Sequence, residues 1–139
     1  MTKKNKQTVL AYVDAFNRGD IDALCALFAP DALVHGVLGW GGVAQARPIW
    51  RAMANSFGMN LQVDAIIEED DVVAVRYTER EKSFTPFRTE PAGDGTYEAV
   101  AIEWFEVKDG LIQRRWGTRD SASVFRQGGC LSTESRVAR

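Results

Sequence analysis

The hydrophobic period of this chain changes once, near Gly58, and no other feature constrains the fold as much. Before that point apolar residues recur at helical spacing; beyond it they alternate with polar ones. Val9, Tyr12, Val13 and Phe16 fall at i, i+3, i+4 and i+7, which predicts a helix from Thr8 to Arg18 that Gly19 ends. Asp20 can cap a second, short helix through Phe28, closed by Pro30. A short apolar segment, Ala32 to His35, leads into a loop carrying Gly36, Gly39, Gly41 and Gly42 around Trp40. Val43, Ala46, Trp50, Met53 and Phe57 return to helical spacing. Because proline is tolerated only in a first turn, Pro48 sets the start of this third helix near Arg47.

Beyond Gly58, Leu61, Val63, Ala65 and Ile67 alternate with polar neighbours, Glu69-Asp70-Asp71 supplies a turn, and Val72 to Arg80 is rich in β-branched residues. Lys82 to Thr96, with Pro86, Pro91, Gly93 and Gly95, reads as a loop long enough to act as a lid. Tyr97 to Lys108 is a third strand, Asp109-Gly110 a two-residue hairpin turn, and Leu111 to about Arg119 the returning strand. The expected class is α+β: three N-terminal helices packed on a highly curved antiparallel sheet, with a cone-shaped cavity between the layers. A single domain over residues 1–139 is expected, with its core at about 7–127 and a frayed tail at 128–139.

Composition excludes several classes. With 17 Lys+Arg against 19 Asp+Glu the net charge is −2, and the only basic run is Lys3, Lys4, Lys6, so no nucleic-acid surface is expected. No apolar stretch reaches the ~18–20 residues of a membrane helix, and the N-terminus lacks the apolar core of a signal peptide, which points to a soluble, cytoplasmic protein with no membrane partner. Cys25 and Cys130 are far from CxxC spacing and a single His accompanies them, so neither a metal site nor a disulfide framework is expected. The glycine run has no GxGxxG or Walker pattern, and no cofactor is expected.

A two-residue hairpin loop fixes strand register by counting outward from the turn. Lys108 should face Leu111, Phe105 should meet Arg114, and Glu103 should meet Trp116. Tyr97, Ala99, Ala101, Glu103, Phe105 and Val107 then share a face with Ile112, Arg114, Trp116, Thr118 and Asp120; Ile102, Trp104, Arg115 and Arg119 lie opposite. The first face is the better candidate for the cavity, because carboxylates and a guanidinium among apolar walls suit acid/base work. Glu103 with Arg114 reads equally as a cross-strand ion pair on a wet face. The candidate substrate-binding residues are Trp40, Tyr77, Glu103, Phe105, Arg114 and Trp116. The aromatics among them also suit packing. Trp104, a large aromatic among charges on the other face, suggests homodimerisation there.

Three segments, YVDAFNRGDIDALCALFAPDALVHG, DDVVAVRYT and AIEWFEVKDGLIQRRWGTRDSASVFRQ, resemble the SnoaL-like polyketide cyclases of the nuclear transport factor 2-like superfamily, over most of residues 10 to 127. The resemblance implies cofactor-independent acid/base chemistry of the cyclase or isomerase type, an intramolecular aldol-like closure of an apolar, polyketide-like carbonyl compound. In the cyclases it resembles, an Asp after the DGLIQRRW Trp is the general acid/base, and the matching residue here is Asp120; its carboxylate could instead simply cap a terminal helix at Ala122 or Ser123. His35, where family members often carry a cavity-facing His, is the second catalytic candidate. The chain departs from the family pattern where many relatives read Gly-Thr-His: Ser83 stands at that His position. Glu79, Arg80, Glu81 and Lys82 read as a solvated strand end. The alternative functions are a non-catalytic small-ligand-binding or dimeric assembly module, and epoxide hydrolysis with Asp120, Arg114 and Glu103 around a water.

Overall fold

The computed structural model describes residues 4–36, 39–56, 58–81 and 97–122. The expected lid at Lys82 to Thr96 with Ser83, the tail at 128–139, Cys130 and Lys3 lie outside the described residues.

Two helices come first, α1 (Lys4–Arg18) and α2 (Ile21–Cys25). Helix α1 starts earlier than its apolar stripe and buries Val9, Tyr12, Val13, Ala15 and Phe16. Gly19 adopts positive φ, and Asp20 caps α2 by accepting from the Ala23 N–H at 3.1 Å. The second helix ends three residues sooner than its pattern suggested, because Phe28 opens strand β1 (Phe28–Gly36). The glycine run is also a strand, β2 (Gly39–Gly42), hairpinned onto β1. Helix α3 (Val43–Arg51) therefore begins at Val43, placing Pro48 inside it; one wider turn, Ala52–Ser56, follows.

The remaining strands are β3 (Asn60–Glu69), β4 (Val72–Glu81), β5 (Tyr97–Lys108) and β6 (Leu111–Arg119), giving one sheet of order β2-β1-β6-β5-β4-β3. It is mixed, not purely antiparallel. Strand β1 runs parallel to β6 and extends the expected four-stranded meander on its far side. The helices pack on one face. Tyr12 of α1 sits at the centre, its ring edge-on to Phe105 at 5.1 Å, Phe28 at 6.0 Å and Trp50 at 6.3 Å. Asn17 fastens α1 to β3, its amide donating to the Leu61 carbonyl at 2.9 Å and accepting from the Leu61 N–H at 2.8 Å.

Two irregularities reverse the expected facing. On β3 the pairing shifts between Val63 and Ala65, so Asp64 is an extra residue. Parity therefore flips: Ile66 joins the core and Ile67 is 69% exposed. On β6 the Asp109-Gly110 turn has positive φ at both residues and sets Lys108 against Leu111, as the hairpin rule requires. A second bulge then intervenes at Gln113, so that Phe105 meets Arg115 and Glu103 meets Gly117. From that point every β6 side chain faces the side opposite to a straight count.

Candidate functional site

Between the helices and the inner face of the sheet lies a cavity of about 330 Å³. Tyr12, Phe16, Ala46, Trp50, Met53, Met59 and Leu61 supply its apolar wall. Its polar wall comes from three adjacent strands: Glu79 on β4, Glu103 on β5, and Arg115 and Arg119 on β6.

Glu103 follows from the alternation of β5, where Ala99, Ala101, Phe105 and Val107 share its face and are buried. Its Oε1 accepts from the Tyr77 hydroxyl at 2.9 Å, and its Oε2 accepts from Arg115 Nη1 at 2.8 Å and from the Tyr12 hydroxyl at 3.4 Å. Burial pushes the Glu103 carboxyl above the ordinary range, more strongly than Arg115 and the Tyr77 hydrogen bond pull it down. Burial, reinforced by the charge of Glu103, raises the hydroxyls of Tyr12 and Tyr77, which keeps both as donors. For Arg115 burial acts to lower the pKa, but the attraction of Glu103 prevails and holds it protonated.

Glu79 arrives by uninterrupted parity. Val73, Val75, Tyr77, Glu79 and Glu81 occupy successive inner positions of β4, and the two glutamates are 7% and 5% exposed. This corrects the expectation of a solvated strand end: the inner face of β4 stays inner through its last residue. Arg119 grips Glu79 with two bonds, Nε to Oε1 at 2.6 Å and Nη2 to Oε2 at 3.2 Å. The pair spans β5, where the inner positions Ala99 and Ala101 are small enough to let the side chains meet above them.

The β6 bulge redistributes the sequence-predicted residues. Arg114 is exposed and stands opposite Glu106, away from the cavity. Asp120 is exposed too; its N–H donates to the carbonyl of outward-facing Val100 at 2.9 Å, and it directly precedes the helical residues Ser121 and Ala122. It is not among the cavity-lining residues. Trp116 pairs with Trp104 on the outer face, and its ring contacts that of Trp40 at 5.4 Å. His35 also lies on this outer face, because its neighbour Val34 takes the buried position of β1; its ring stands 4.8 Å from Trp40. Trp40, half exposed on the edge strand, is at the cavity rim. Phe105 is wholly buried in the core, and Tyr77 reaches the site only through its hydroxyl. Of the eight residues singled out by sequence, Glu103 and Trp40 line the cavity.

Glu79, Arg115, Arg119 and Tyr12 were missed. For Glu79 the signal was present in the run of alternate apolar residues leading to it. For the arginines it was not, since nothing in QRR marks Gln113 as an extra residue. Among the described residues no group of three or more His, Cys, Asp or Glu side chains could hold a metal ion.

The profile of the SnoaL-like domain matches residues 9–115, most of the chain. This chain belongs to the SnoaL-like domain family. No curated protein sequence matches it. Among solved structures, this SnoaL-like domain superposes on IdmH of Streptomyces antibioticus, described as a candidate polyketide cyclase, with 25% identity, TM-score 0.79, and coverage of 90% of this chain and 98% of that one. A candidate polyketide cyclase of Sinorhizobium meliloti gives 26% identity, TM-score 0.65 and coverage of 81% and 94%. The fold is shared with an LEH-like epoxide hydrolase of M. tuberculosis: 18% identity, TM-score 0.74, coverage of 99% and 98%. The SnoaL-like assignment agrees with the α+β architecture and its mixed six-stranded sheet. No helix among the described residues is long and apolar enough to cross a membrane.

Proposed function

We propose that this SnoaL-like domain is an enzyme performing cofactor-independent proton transfer on a small apolar carbonyl compound, with Glu103 as the general base and acid. The observation carrying this reading is the Glu103 carboxylate, nearly enclosed at the wall of a mainly apolar cavity, with a proton affinity raised by that enclosure. Taking a proton alpha to a carbonyl needs a base within hydrogen-bond reach in a site that disfavours water. Glu103 then returns the proton to the product, as an aldol-like ring closure or an isomerisation requires. The polyketide cyclase descriptions of two structural neighbours favour a polyketide-like substrate. Asp120, exposed beside Val100, has no part in this reading.

A test without the natural substrate uses a nitrobenzisoxazole, whose ring opens by base-driven proton removal alone. Wild type should open it with a rate that rises with pH through a midpoint above the ordinary glutamate range, and Glu103→Gln should lose at least ~100-fold. Equal rates in the two proteins would reject the catalytic reading and leave a ligand-binding module.

A second reading, water activation on an epoxide, has its own support: Glu103 and Glu79 both line the cavity and each is held by an arginine. Hydrolysis of cyclohexene oxide with loss in both Glu103→Gln and Glu79→Gln would favour it over proton transfer to carbon.

A homodimer through the outer face completes the proposal. Trp40, His35, Trp116, Trp104, Ala74 and Ile67 succeed one another across all six strands, with Trp40, Trp104 and Ile67 exposed. Glu106 and Arg114, paired in the next row, carry opposite charges and can meet their counterparts about a two-fold axis. Sedimentation should give a dimer at micromolar concentration and a monomer for Trp104→Lys; a monomeric wild type would refute it.

A further inference from the structure

The Arg115 guanidinium spends little of its hydrogen-bonding capacity. Its residue is 8% exposed, yet Nη1 to Glu103 is its single hydrogen bond among the described residues, and Nε is buried without an acceptor. A guanidinium has five N–H donors, and an unpaired buried donor costs stability, so the arrangement demands an explanation. Its surroundings supply one. The side chain folds over inner-face positions that are both glycine: a Cβ at Gly117 would stand 2.1 Å from Nη1, and one at Gly36 would stand 4.0 Å from Nη2. Both glycines line the cavity. The guanidinium is also 5.9 Å from the centre of the Trp50 ring, which supports its charge from the helix side. A cation thus rests on a side-chain-free shelf in the cavity wall, one edge committed to Glu103 and the rest unspent.

We propose that Arg115 is a catalytic residue in its own right, whose unspent Nη N–H donors bind the substrate's carbonyl oxygen and the oxyanion it becomes. The inference rests on the proton-transfer reading and deepens it. When Glu103 removes the alpha proton, the C–H electron pair forms the new C=C bond and the carbonyl π pair moves onto oxygen. The proton resides on the Glu103 carboxyl, and the negative charge that Glu103 gives up reappears on the oxygen beside Arg115. Net charge within the site is unchanged through the step, and the guanidinium faces one negative charge before and after it. Gly117 is the positioning residue, because any side chain there displaces the cation.

Phenolates mimic such an oxyanion, and p-nitrophenol reports its own ionisation by absorbance. Wild type should bind the phenolate in preference to the phenol, lowering the ionisation midpoint of the bound probe relative to free probe. Glu103→Gln removes the competing negative charge and should tighten phenolate binding at least ~10-fold; adding Arg115→Met in that background should abolish the gain. The double variant leaves no unpaired buried charge, so it keeps the test valid if Arg115→Met alone does not fold. Bound probe that stays neutral, or phenolate affinity equal in the single and double variants, overturns the proposal. Failure of the parent reading is distinct: nitrobenzisoxazole opening unchanged in Glu103→Gln removes the base, while phenolate binding still decides for or against Arg115.

Discussion

Strands β4 and β6 both send charged side chains into the same cavity, by different backbone routes. On β4 the alternation from Val73 through Tyr77 is unbroken, so Glu79 and Glu81 are inner residues simply because they lie an even number of positions further on. On β6 the inner set begins at Ile112, skips two residues at the Gln113 bulge, and resumes with Arg115, Gly117 and Arg119. A regular strand transmits facing along its whole length. A bulged one resets it, and here the reset exchanges Arg114, Trp116 and Asp120 for Arg115, Gly117 and Arg119 at the cavity.

The largest effect should come from deleting one residue in each strand. Removing Ala74 from β4 turns either Val73 or the set Val75, Tyr77, Glu79 and Glu81 outward. At about 1.5–3 kcal/mol for each large apolar side chain, plus a broken buried ion pair, this consumes most of a typical 5–15 kcal/mol stability. No cooperative thermal transition should remain. Removing Gln113 deletes the bulge but leaves Ile112, Arg115, Gly117 and Arg119 on their present side, so the variant should melt cooperatively, within about 2 kcal/mol of wild type by urea titration. If the two deletions are equally damaging, the contrast between the strands is wrong.

Gly117→Ala should come next. Its methyl group would fall 2.1 Å from Arg115 Nη1 and 3.4 Å from Glu103 Oε2, so the guanidinium must leave its shelf. A cost of about 2–3 kcal/mol in urea unfolding is expected from overpacking and a weakened buried pair.

Tyr77→Phe removes one hydroxyl from Glu103 and should cost about 1–2 kcal/mol at neutral pH. Its pH dependence is more telling. Because the folded Glu103 pKa is raised above the unfolded value, the native state holds the proton longer, and stability declines as pH rises from the unfolded value through the folded one. The Tyr77 hydrogen bond pulls that folded pKa down, so in Tyr77→Phe the decline should extend to higher pH, read from stability measured at successive pH values. Asp120→Asn should do least to the chemistry: Asp120 is not among the cavity-lining residues, so nitrobenzisoxazole opening should be unaltered.

The helices α1 and α2, the hairpin at Asp109-Gly110 and the inner face of β5 could all be derived from spacing, because each is governed by local periodicity and turn chemistry. Strands β1 and β2 could not: Phe28 continues the apolar period of α2, and GWGG has no alternation to announce a strand. Pro48 misplaced the start of α3, since a proline bias toward first turns does not forbid an interior position. In the site, Glu103 was legible through its β5 neighbours, and Glu79 was legible in principle. Arg115 and Arg119 were hidden by a bulge whose extra residue is an ordinary Gln. The same failure at Asp64 put Ile67 on the wrong face of β3. Parity arguments therefore hold as far as the nearest bulge, and functional residues beyond one need the backbone itself.

Everything catalytic here depends on the Glu103 carboxyl, nearly enclosed at the cavity wall, holding its proton more tightly than an ordinary glutamate. Its most direct measurement is a carbon NMR titration of the Glu103 side-chain carboxyl, assigned by comparison with Glu103→Gln. The expected midpoint lies above the ordinary glutamate range and moves further up in Tyr77→Phe. A midpoint at or below that range, unmoved when the tyrosine hydroxyl is removed, would contradict it.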